Sequence, residues 1–269
     1  MSELYLQDYP DLGEVVDGSP DIRGHKIGIC LDCYDNNRMI IPEFLRNSHN
    51  SSHSYVFTAG SVTNGKLVRW PTALALLADF AVPEIKQTIE RGAEVYLFGL
   101  APGLVFTYLA YKLGTESLSK CNIYSWSETF QSEEWGPIIE QIKDFKAQVL
   151  AAKALNNIKP ERIVDMGKEC KTYKILMTHG LDNFDDSTLS YSTSVKSFDV
   201  LCSTILESVT EKDAQSFDIC SRNISPFLSL CCGIMAYELN YILPISFSYP
   251  GEGDGNEKIR INLFSNTFE

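Results

Sequence analysis

The chain has 269 residues, 44% of them hydrophobic, enough for one large α/β domain or two small ones with a full core. A net charge of −12 excludes a broad basic surface for duplex DNA or RNA, while leaving room for a small anionic ligand held by a few local donors. No apolar run approaches the ~18 residues of a membrane span, and the opening MSELYLQDYP lacks the basic end and apolar stretch of a secretory signal, so a cytoplasmic protein with no membrane partner is expected.

Residues 1–24 are polar and acidic, with Pro10, Gly13, Gly18 and Pro20, and read as an irregular arm. KIGICLDC, residues 26–33, is a short apolar strand, and Tyr34 opens a turn with Asp35, Asn36 and Asn37. The Ser/Asn/His-rich stretch that follows is a loop, with a second strand over 54–58. A helix is expected over 70–92, kinked at Pro83 and stopped by Gly92. Next come a strand over 94–99, a helix over 102–113 closed by Gly114, and a strand over 122–126. Residues 137–157 form an amphipathic helix, with Ile138, Ile142, Phe145 and Val149 on one face. The order then repeats: a strand over 172–178, a helix over 194–209, a strand over 217–220, a helix over 225–240 and a strand over 243–249. GEGDGN is a turn into a final antiparallel strand over 258–264.

VYLFGLAPGLVFTYLAYKLGTESLSKCNIYSW and FDICSRNISPFLSLCCGIMAYELNYILPISFSY share one plan. Each has an apolar strand, a loop of small residues ending in proline, a helix with an Ala-Tyr pair, and a strand ending in serine and an aromatic. Strands separated by helices imply parallel pairing with right-handed crossovers. The expected fold is therefore α/β, with two similar Rossmann-like halves, mostly parallel sheets and a C-terminal antiparallel hairpin. The halves are placed at 25–150 and 171–269, with 1–24 an arm and 151–170 a linker.

In such sheets ligands sit at the carboxyl ends of the strands. Two strand-to-helix loops therefore stand out: Leu100, Ala101, Pro102 and Gly103, and then Arg222, Asn223 and Ser225. Small residues let a ligand approach the backbone, helix-start N–H groups favour phosphate, and Arg222 adds a forked cation. The plainer reading, that the prolines start helices and the glycines allow turns, stands equally open. Tyr34 and Thr178 follow the first strand of each half. Trp126, beside Ser125, either stacks on a base or lids a core.

No nucleotide fingerprint, hydrolytic triad or H-E-x-x-H occurs, so no catalytic residue, cofactor or metal is assigned. The C-x-x-C of Cys30 and Cys33 falls within a strand, where the pair points to opposite faces, so the eight cysteines read as buried structural thiols.

Leu97, Phe98, Pro102, Ala110, Leu113, Gly114, Ile123 and Tyr124 form a pattern. It is a strand ending in F-x-x-x-P, a helix ending in Ala-x-x-Leu-Gly, and a short strand. This resembles the SAVED domain of bacterial antiphage signalling systems. The likeness covers residues 94–126; the second half matches in order of elements and not in motif. The resemblance implies two fused CARF-like halves with a cyclic oligonucleotide bound between them. It also implies ligand-induced homo-oligomerisation and control of an effector, which here would be a separate protein. A phosphodiesterase using Asp32 and His179, or a non-catalytic interaction subunit, is the alternative.

Overall fold

In a computed structural model, the structure describes residues 22–34, 54–63, 66–67, 74–75, 77–123, 135–155, 172–178, 191–212, 214–222, 224–249, 259–263 and 267–268. Strands β1 (Lys26–Tyr34), β2 (Ser54–Thr63), β3 (Lys66–Leu67), β4 (Glu94–Leu100) and β5 (Cys121–Ile123) form one sheet. Its order is β3-β2-β1-β4-β5, with β3 antiparallel to β2 and every other pair parallel. A second sheet holds β6 (Thr172–Thr178), β7 (Thr193–Val195), β8 (Ser216–Arg222), β9 (Ile245–Tyr249), β10 (Ile259–Asn262) and β11 (Thr267–Phe268). Its order is β11-β10-β9-β8-β6-β7, parallel from β7 to β9 and antiparallel at β9-β10-β11.

The repeat is visible in this topology. Read within each half, β2-β1-β4-β5 and β7-β6-β8-β9 both have the order second, first, third, fourth. The fold is α/β with two Rossmann-like halves, mostly parallel sheets and a C-terminal antiparallel pair.

The helices are α1 (Val82–Glu90), α2 (Gly103–Leu118), α3 (Trp135–Leu155), α4 (Phe198–Glu211) and α5 (Pro226–Leu239). Pro83 does perturb its helix: a π-helical turn, Leu77–Ala81, precedes it, and Pro83 sits in the first turn of α1, where its missing N–H costs little. Gly114 breaks α2 as expected, with φ of 74° and ψ of 170°. Ile142, Phe145 and Val149 are buried on one face of α3, while Ile138 is half-buried.

Two expectations needed correction. Residues 193–195 form β7 rather than the start of a helix; α4 begins only after Ser197, whose hydroxyl accepts from the Val200 N–H. Tyr34 is the last residue of β1 rather than a turn residue, pairing with Val62 beyond a register shift.

By its internal contacts the chain divides into two units, Met1–Pro102 with Lys112–Trp135, and Gly103–Tyr111 with Gly136–Glu269. The first nine residues of α2 thus group with the second sheet. They lie against α5: Thr107 Oγ1 donates to the Ser229 carbonyl at 3.0 Å, and Gly233 fits against the Thr107 carbonyl and Ala110. Tyr111 donates to the Leu263 carbonyl at 2.8 Å and accepts from Asn240 Nδ2 at 2.7 Å. Helix α3 also joins this unit, through Lys146 with Glu238 at 3.0 Å and Lys153 with the Ile242 carbonyl.

The second sheet has two unlike faces. Ile175, Met177, Phe217, Ile219, Ile245, Phe247, Ile259 and Ile261 are all buried and alternate along their strands. The Met177 sulfur lies 3.3 Å from Cys232 Sγ on α5, which fixes this as the helix-covered face. The alternate positions are mostly polar: Lys174 and Thr178 on β6, Asp218 and Arg222 on β8, Ser246 and Ser248 on β9, Arg260 and Asn262 on β10.

Candidate functional site

A parallel sheet of this order has one place where consecutive connections leave in opposite directions, between its first and third strands in sequence. In the first half that is β1/β4, where Asp32 is in register with Leu100. In the second half it is β6/β8, where Thr178 is in register with Arg222. Four residues from the duplicated strands therefore mark two equivalent positions, each a pair adjacent in register: Asp32 with Leu100, and Thr178 with Arg222.

Thr178 is 3% exposed, and its Oγ1 has no hydrogen-bond partner among the described residues. Such a buried hydroxyl is costly unless something satisfies it. Arg222 is half-buried. It is the last residue of β8 rather than part of the following loop, so the strand sets its position. Below this pair, Cys220 and Ser248 share a register row, and the Tyr191 hydroxyl lies 3.0 Å from Ser248 Oγ. Burial, then a hydrogen bond to Cys220, raises the Tyr191 pKa; burial likewise raises that of Cys220, against hydrogen bonds from Tyr191 and Ser248 and the nearby Arg222 charge. Both groups keep their protons at neutral pH and present dipoles rather than charged nucleophiles. Arg260 Nε lies 3.7 Å from Asp218 Oδ1, so opposite charges face each other on this side of the sheet.

Ser225 is the N-cap of α5: its hydroxyl accepts from the Leu228 N–H at 3.2 Å, and its carbonyl accepts from the Ser229 N–H and hydroxyl. Pro226 carries no N–H, and the Ser225 hydroxyl takes that of Leu228. Helix α2 differs, since its N-cap is Pro102 and no side chain caps it. Gly103 lies against Ile224 and Ser229: a Cβ there would come within 2.8 Å of Ser229 Oγ and 3.1 Å of Ile224 Cγ1. Leu100 ends β4, and Ala101 and Pro102 follow it, Pro102 being buried. Tyr34 ends β1. Trp126 and Asn223 lie outside the described residues.

Tyr191, Asp218 and Arg260 were not singled out from sequence as site residues. The signal was present in the alternation of FDICSR, ISFSY and IRIN, which puts polar residues at every second position. Among the described residues no three His, Cys, Asp or Glu are grouped to hold a metal, and no helix is long and apolar enough to cross a membrane.

No protein-family model matches this chain, and no curated protein matches it. Among solved structures, it is similar to the Acinetobacter baumannii Cap4 SAVED/CARF-domain containing receptor with the cyclic trinucleotide 2'3'3'-cAAA. The TM-score is 0.42 and the identity 8%, over 84% of this chain and 49% of that one. A second structure of the same receptor gives a TM-score of 0.40 and 8% identity, over 89% of this chain and 49% of that one. The chain spans about half the length of the structures it matches, and the likeness is a weak one of fold.

Proposed function

We propose that this protein is a receptor for a cyclic oligonucleotide second messenger in an antiphage defence system, and that it has no catalytic centre of its own. The observation that carries this reading is the register pair Thr178–Arg222 at the switch point of the second half. Its Thr178 hydroxyl, without a hydrogen-bond partner among the described residues, stands beside a guanidinium where α/β sheets receive ligands. The pattern from Leu97 to Tyr124 in the first half adds the resemblance that points to this class of ligand. Ligand binding drives homo-oligomerisation and passes the signal to a separate effector protein. Isothermal calorimetry against cyclic di-, tri- and tetranucleotides tests the receptor role. Saturable heat with at least one ring is expected, and silence across the whole panel removes the proposal.

A further inference from the structure

Within the second unit, helices α3 and α4 leave a groove between them. Gln141 Nε2 donates to Asp199 Oδ1, and from there the groove opens toward the C-terminal halves of both helices, with a volume of about 490 Å³. Ala151, Ala152 and Leu206 give it apolar walls, and Ser203, Glu207 and Glu211 stand along its α4 side. On α3 the exposed positions from 147 to 154 are Ala147, Gln148, Leu150, Ala151 and Ala154, none of them charged. The outer face of a surface helix is normally charged or polar, and this one is mostly apolar.

The α4 side is acidic. Its exposed positions include Asp199, Glu207 and Glu211 and no base, and its last turn holds no base either. Glu207 and Glu211 therefore add to the negative pole of the helix instead of opposing it. Lys212, the C-cap, pairs with Glu207 at 3.1 Å and lies over the Tyr173 ring. Glu211 has no ion pair among the described residues. Lys153, the base in the last turn of α3, is buried and donates to the Ile242 carbonyl. We infer that this groove docks a partner protein through an amphipathic helix, whose apolar face seats on Ala151 and Leu206 and whose lysines or arginines reach Glu207 and Glu211. From Ser203 to Glu211 the α4 wall rises about 12 Å, room for about two turns of such a helix. A second copy of this chain is the poorer occupant, because it brings a net charge of −12 to an acidic wall. No strand-end residue lines the groove, so its occupant does not depend on which ligand, if any, binds there.

Fluorescence anisotropy in about 0.15 M salt, where charges beyond about 8 Å are screened, tests this with a labelled helical peptide. The peptide has about 15 residues of leucine, alanine and lysine, with one apolar face. A scrambled peptide of the same composition and a version with glutamate for lysine are the controls. The wild-type chain should bind the first and neither control. Ala151→Lys, which sets a cation in the wall at an exposed position, should weaken binding more than about tenfold. Glu211→Lys should weaken it about three- to tenfold and leave the melting temperature unchanged or raised, because a cation suits a helix C-terminus. In Glu207→Lys with Glu211→Lys, the glutamate peptide should replace the lysine one. Glu116→Lys, the same charge change at an exposed residue outside the groove, should alter affinity by less than about twofold. No binding by the wild-type chain would overturn the inference, as would equal binding of the scrambled peptide or unchanged affinity in Ala151→Lys and Glu211→Lys. An equal loss in Glu116→Lys would reduce the effect to overall charge and overturn it as well. Size-exclusion chromatography, with and without a cyclic nucleotide ring, should give the same species for Ala151→Lys as for the wild type. An oligomer broken by Ala151→Lys would give the groove to a second copy and overturn the assignment to a partner.

Discussion

Among single residues, Ser225 serves the fold, since its hydroxyl and carbonyl both close the first turn of α5. Ser225→Ala should therefore cost about 1 kcal/mol in denaturant unfolding, the usual loss for a serine N-cap. A variant as stable as wild type would release that hydroxyl for another role. The buried thiols are also structural. Burial pushes the pKa of Cys121 and Cys202 up to about 12, and burial with the Glu94 hydrogen bond does the same for Tyr96. Each group binds its proton more tightly when folded, so its contribution is complete below the unfolded pKa and lost as pH rises through the folded one. Stability should be insensitive to these groups at neutral pH and fall between about pH 9 and 12. A melting temperature constant across that window would contradict the burial of all three.

At the scale of elements, the decisive contact is α2 against α5, the equivalent helices of the repeat. Gly103, Thr107 and Ala110 on α2 meet Ser229 and Gly233 on α5, and the Thr107–Ser229 hydrogen bond locks the crossing. Helix propensity alone favours Gly233→Ala by up to about 1 kcal/mol. Against that, a Cβ at Gly233 runs into the Thr107 carbonyl and comes within 2.6 Å of Ala110 Cβ, which no side-chain rotation relieves. Overpacking of this kind costs about 1–3 kcal/mol, so Gly233→Ala is expected to be net destabilising in chemical denaturation. A gain in stability would show the helices to be further apart.

Which elements exist was largely legible in the sequence, because the Gly92 and Gly114 breaks and the Phe145–Val149 face are local signals. Three-residue β7 was not: TSV before a serine cap and an apolar periodic stretch reads as the helix's own first turn. The α2–α5 contact was also out of reach, since it joins residues 122 apart. The candidate site was legible only as separate strand ends. Strand-end logic picked out Thr178 and Arg222, but their adjacency follows from the register of β6 on β8.

For the molecule as a whole, the repeat accounts for the architecture. Two sheets of one strand order, β2-β1-β4-β5 and β7-β6-β8-β9, each create a switch point. The proposed assembly step belongs to this scale: size-exclusion chromatography should show a larger species when a binding ring is added, and an unchanged elution volume at saturation would leave the effector to be controlled without oligomerisation. The most direct measurement on the central claim incubates the protein with the cyclic oligonucleotide panel, separates bound from free by ultrafiltration, and identifies the retained nucleotide by mass spectrometry. A receptor retains one ring intact after prolonged incubation. Linear products, or no nucleotide retained from any member of the panel, would contradict it.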